Sequence, residues 1–105
     1  MEIIKNELKL ISSVIDDIGK KRAEVEKKIQ TPLKRTMPAF KKLEMLDKLS
    51  SEFDNFTRLI LDIEYIKIQI ESLLYKPEIK EKLKNIDDIY RYADVKKHPH
   101  IEEYR

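Results

Sequence analysis

His98-Pro99-His100, with Glu102 and Glu103 just beyond, is the one place in this chain where metal-ligating side chains crowd together. Two imidazoles and two carboxylates are donors that zinc accepts. A metal site, however, needs them held in a fixed geometry, and this group lies in a polar, proline-interrupted stretch. A disordered terminus without a metal is the expectation, and no cofactor is called for. Asp16-Asp17 and Asp87-Asp88 are paired carboxylates, but adjacent helical residues diverge by about 100°, so they read as solvent contacts. Carboxylate-bridged di-iron chemistry requires Glu-x-x-His pairs on facing helices, and the sequence contains none. With one glycine and no cysteine, phosphate-cradling loops and thiolate chemistry are also missing.

Arg91 and His98 are separated by six residues, and in that feature alone the chain resembles the Arg-x6-His pair of the HEPN ribonucleases, a superfamily of small all-helical domains. The resemblance implies acid/base and charge-stabilising roles on an RNA phosphodiester. Pro99, directly after the histidine, disturbs the helix that such a site would continue. The chain is therefore expected not to be an enzyme and to have no small-molecule substrate.

The charge map is more informative. Residues 20–48 hold ten Lys or Arg against four acids, a net of +6, while the remainder holds twelve against sixteen, a net of −4. Lys20, Lys21, Arg22, Lys27, Lys28, Lys34, Arg35, Lys41, Lys42 and Lys48 form this basic segment. It suits the phosphates of a nucleic acid, an anionic membrane face or an acidic protein surface. Phe40 is its only aromatic residue, so backbone attraction is favoured over base stacking.

The elements carrying these groups follow from periodicity. Ile4, Leu8, Ile11, Ile15, Ile18, Arg22, Val25 and Ile29 fall on a strict 4-3 alternation. The same alternation returns as Leu46, Leu49, Phe53, Phe56, Ile60, Ile63, Lys67, Ile70 and Leu74. Each is a coiled-coil seam, which leaves water only by packing along another helix. Arg22 stands in its seam as a cation that either fixes pairing register or lays its stem along the seam with its guanidinium in solvent. Gly19 marks a bend or close helix contact, or is simply tolerated.

The prolines at 32, 38 and 77 divide the chain into helices at about 2–30, 38–75 and 77–95. Two features compete with the second helix: a break with fresh capping at Ser50-Ser51, and the period-two stretch Tyr65 to Glu71, which alone reads as a strand. The continuous helix is preferred, since no second strand exists to pair with the first. Residues 96–105 are expected as a loose tail or short appended turn.

The expected fold is therefore all-α: an elongated antiparallel three-helix bundle with a projecting two-helix coiled-coil hairpin, a single helical domain over 1–95. Extra apolar residues widen the seam at Ile3, Leu10 and Val14, and again at Leu59, Leu61, Ile66, Ile68 and Leu73, which marks the three-helix end. No unbroken apolar run exceeds three residues, as at Leu59 to Leu61, far below the ~20 needed to span a bilayer. The opening residues are not those of a secretory signal, so an intracellular location is expected, cytoplasmic or, in a eukaryote, nuclear.

A protein partner, self or another subunit, is expected to dock on seam residues exposed beyond the third helix: Val25, Ile29, Leu33, Met37, Phe40, Leu43 and Met45. The leading reading is a helical scaffold or adaptor. Nucleic-acid association through the basic hairpin is the alternative.

Overall fold

The computed structural model describes residues 2–31 and 37–105. Their regular structure is entirely helical, with no strand among the described residues, and α1 spans Glu2–Gln30 while α2 spans Ala39–Glu71. The two lie antiparallel. Arg22 meets Thr57, and Ser12 shares a surface groove with Lys67 and Glu71. The molecule measures 65 × 21 × 19 Å with a radius of gyration of 18.8 Å, against about 13 Å for a compact chain of this size. Elongation follows from helix length, since 33 residues at ~1.5 Å each reach about 50 Å.

α1 carries Glu2 in its first turn and Lys27 and Lys28 in its last, charges that oppose the helix dipole at each end. Thr31 closes it, its hydroxyl donating to the Lys27 carbonyl at 2.7 Å. α2 starts after Pro38, whose carbonyl accepts from the amides of Lys41 and Lys42. It runs unbroken through Ser50-Ser51 and through Tyr65 to Glu71. The period-two reading of that second stretch gives way because Ile63, Ile66, Ile70 and Leu73 are buried at 3-4-3 spacing, whereas Tyr65 and Ile68 face solvent.

The expected continuous helix over 77–95 is corrected. The last turn of the second helix tightens into a 3₁₀ segment at Ser72–Tyr75, a second 3₁₀ segment covers Pro77–Lys82, and α3 spans only Ile86–Ala93. Local chemistry causes the restart. Asn85 accepts from the Asp88 amide at 3.0 Å while the Asp88 carboxylate accepts from the Asn85 amide, a reciprocal capping box that begins a new helix wherever it forms. Leu83, extended between the two segments, is thereby turned into the core beside Ile79 and Ile89. Asp94 ends α3 in the left-handed region at φ 56°, a conformation that aspartate tolerates better than most residues.

The last ten residues are folded onto the body. α4 spans Pro99–Glu103, capped by His98, whose ring nitrogen accepts from the His100 amide at 3.1 Å. Ile101 is wholly buried, an apolar anchor that holds as a short helix the segment expected as a loose tail or short appended turn. The core joins Ile4, Ile11, Val14 and Ile18 of α1 to Ile60, Ile63, Ile66 and Ile70 of α2, with the C-terminal elements laid over them. Beyond Ile18 and before Ile60 that third layer ends. Between residues 20 and 59, Val25 is the only buried side chain among those described.

Candidate partner-docking surfaces

Where only α1 and α2 face each other, their seam positions Leu46, Leu49, Phe53 and Phe56 are half-buried, because a two-layer contact covers one side of each helix. The apolar residues expected to form a docking patch differ in exposure. Val25 is buried; Ile29 and Met37 are half-buried; Phe40, Leu43 and Met45 are exposed. Leu33, Lys34 and Arg35 lie outside the described residues. Phe40 and Leu43 are 62% and 63% exposed; the 4-3 alternation traced back from Leu46 falls on Lys42 and Ala39, so neither continues the seam.

Lys20, Lys21, Lys27, Lys28, Lys41 and Lys48 are exposed, and Lys42 is half-buried. Among the described residues none of the seven pairs with a carboxylate. Helical spacing aligns some of them. Glu7 and Val14 lie buried under the C-terminal elements, and Lys21 and Lys28 continue that seven-residue row past the point where the cover stops. Lys41 and Lys48 repeat the spacing on α2. Arg22 leaves this solvent-facing set: its guanidinium donates to the Thr57 hydroxyl at 3.4 Å and lies 5.7 Å from the centre of the Phe53 ring. The cation thus bridges the two helices by hydrogen bond and cation–π contact, with its stem along the seam.

Several polar groups of the C-terminal elements pair with one another or with α1. Glu7, 3% exposed, accepts from the Tyr90 phenol at 2.6 Å and from the Arg105 guanidinium. Burial, reinforced by the adjacent carboxylate, pushes the Tyr90 phenol well above its ordinary range. Lys97 bonds to Asp87 and lies 3.7 Å from Glu102; the hydrogen bond lowers Asp87 and raises Lys97 from their usual values. The Glu7 cluster was not evident in the sequence, where an acid at a helix flank reads as surface. Its signal was the seven-residue step from Glu7 to Val14, which places both on the widened face.

Arg91 and His98 have separate engagements. Arg91 pairs with Asp88 at 2.7 Å and keeps most of its side chain in solvent, while His98 caps α4 across an intervening non-helical link. His98 lies beside His100, ring centroids 5.7 Å apart, and burial, with the neighbouring imidazole next in importance, lowers its pKa from the ordinary value. Among the described residues no three His, Asp or Glu side chains converge as a metal-binding group. The depression beside His98, bounded by Asp62, Tyr65, Asp94 and Lys96, is open and about 380 Å³. No helix among the described residues is long and apolar enough to cross a membrane. No protein-family model, curated protein or solved structure matches this chain, so its function is read from the geometry of its own residues.

Proposed function

We propose that this chain is a non-catalytic helical scaffold or adaptor that works by protein–protein contact, as a subunit of a larger assembly or as a homo-oligomer. In this reading the trunk is an antiparallel bundle in which the short C-terminal helices stand for a third rod, and the paired ends of α1 and α2 project from it as a coiled-coil hairpin. It acts inside the cell, in the cytoplasm or, in a eukaryote, the nucleus.

The observation that carries the reading is the solvent-facing apolar surface of α2, with Phe40 and Leu43 at one end and Leu61, Tyr65 and Ile68 at the other. Helix faces that keep large apolar groups in water gain free energy when a partner covers them. The test is affinity purification of the tagged chain from its native cell, with Phe40→Ser/Leu43→Ser in parallel. A stoichiometric protein retained by the wild type and lost by the variant supports the adaptor. Identical recoveries from both, at matched helicity, overturn docking at this end.

The second reading, nucleic-acid association through hairpin residues 20–48, is favoured by the aligned exposed rows Lys21/Lys28 and Lys41/Lys48. Phosphate contact by four lysines gives an affinity that falls steeply with salt, at about 0.9 log units per log unit of salt for each contact on duplex DNA. Changing all four to glutamate is expected to abolish a low-salt gel shift while leaving helicity intact. No shift with either duplex DNA or RNA removes this reading.

A further inference from the structure

We infer that the outer face of α2 is a self-association surface on which a second copy of this chain packs antiparallel, each Asp47 meeting the Arg58 of the other copy. This names the partner within the protein–protein reading above.

The face of α2 opposite α1 carries a second 4-3 alternation, and its members are exposed throughout. Leu61, Tyr65 and Ile68 keep 59%, 59% and 60% of their surface in water, although their spacing alone would have placed Leu61 and Ile68 in the three-helix core. Phe40 lies on the same face at the far end, and the positions between are polar.

Laid antiparallel on a copy of itself, this stripe matches opposite charges and its two aromatic residues together in one register. Phe40 falls opposite Tyr65, Asp47 opposite Arg58, and Ser51 opposite Asp54, all centred between Glu52 and Phe53. Those are the core positions of an antiparallel coiled coil. Glu44 falls opposite Leu61 with Leu43 alongside to cover it, and the flanking position joins Lys41 to Asp62. Among the described residues none of Lys41, Asp47, Arg58 and Asp62 has an ion-pair partner within its own chain.

A two-fold axis duplicates every pair, so one register supplies two Asp47–Arg58 contacts and two Phe40–Tyr65 contacts and closes at a dimer. A parallel, in-register dimer would instead set Asp47 against Asp47, Asp54 against Asp54 and Arg58 against Arg58. Like charges therefore select the antiparallel arrangement. From Phe40 to Tyr65 the seam runs about 38 Å at ~1.5 Å per residue. Its polar centre makes the dimer dependent on register more than on apolar area.

The test is light scattering behind size-exclusion at high micromolar concentration, where the mass is expected to rise from 12.6 kDa toward twice that value. Asp47→Arg alone and Arg58→Asp alone each create two like-charge contacts and should weaken association roughly tenfold or more. An equimolar mixture of these two variants restores opposite charges at both contacts and should recover the dimer. Both positions are exposed, so far-UV circular dichroism is expected to match the wild type.

A second readout does not use charge. The chain contains no cysteine, and Ser51→Cys, near the axis, should link to its counterpart through a short bismaleimide, whereas Ile68→Cys should not. A wild type monomeric at every concentration, a dimer insensitive to the single reversals, a mixture that stays monomeric, or cross-linking at 68 in place of 51 each overturns the proposal. A monomeric wild type leaves the adaptor reading standing, because that fails only if Phe40→Ser/Leu43→Ser changes nothing that the chain captures.

Discussion

The phenol of Tyr90 in α3 donates a 2.6 Å hydrogen bond to the carboxylate of Glu7 in α1, across 83 residues of sequence. Arg105 reaches the same carboxylate oxygen from the other end of the chain. A carboxylate this deeply buried is stable only when its lone pairs are met. The three side chains therefore hold the C-terminal layer against the first helix.

Replacing Tyr90 with Phe keeps the ring and removes the donor. We expect a loss of about 1.5–3 kcal/mol, the range for a hydrogen bond to a charged group. Urea denaturation should show a lower midpoint with an unchanged slope.

Gly19 lies within α1, and a Cβ built on it meets nothing within 4 Å. No close helix contact needs the glycine, and its backbone does not take a positive φ. Gly19→Ala is expected to stabilise the protein by about 1 kcal/mol through helix propensity, read as a higher thermal midpoint.

Ile101 is completely buried although it belongs to a helix of only five residues. Ile101→Ala should cost about 2–5 kcal/mol, as for other large-to-small core changes. Limited proteolysis should then cut the C-terminal segment first, with α1 and α2 still helical by circular dichroism.

His98 should make stability fall on mild acidification. Burial and the nearby His100 lower its folded pKa, against opposing effects from Asp62 and Glu103, so the unfolded chain binds more protons than the folded one between the two values. The contribution is complete above the unfolded value of about 6.5 and declines as the pH drops below it, until the folded imidazole also titrates. His98→Asn preserves a capping side chain. It should remove this component from a plot of denaturation midpoint against pH between 7.5 and 5.5.

Hydrogen exchange should divide the molecule. Amides of α1 beyond Lys20 and of α2 before Phe56 have one packing neighbour in place of two, so they should exchange at lower opening free energy than those around Ile11 and Ile63. Equal protection along both helices would contradict the absence of a third layer there.

The long helices were legible because a 4-3 apolar stripe is a local signal repeated many times, from Ile4 to Ile29 and from Leu46 to Leu74. The residues that widen that stripe in the first helix, Ile3, Leu10 and Val14, pack on or within the core. The break in the third helix was not legible. It depends on Asn85 and Asp88, a capping box written with residues other than the usual Ser or Thr with Glu, and on Leu83 turning inward to a core that periodicity alone does not locate. Leu61 and Ile68 were misplaced for the complementary reason: spacing fixes which residues share a helix face but not which faces acquire neighbours. Glu7 and Ile101 were missed because composition describes a segment's average, while one buried atom or methyl group decides where that segment docks.

Since the covering layer stops at Ile18 and Ile60, nothing in the trunk measures how far the two arms extend past it. Adding or deleting one heptad in each arm would change the span by about 10 Å while preserving the pairing phase. The anchoring contacts at Tyr90 and Ile101 would be undisturbed. Length in this architecture is thus an adjustable dimension, a ruler whose graduations are seven residues apart.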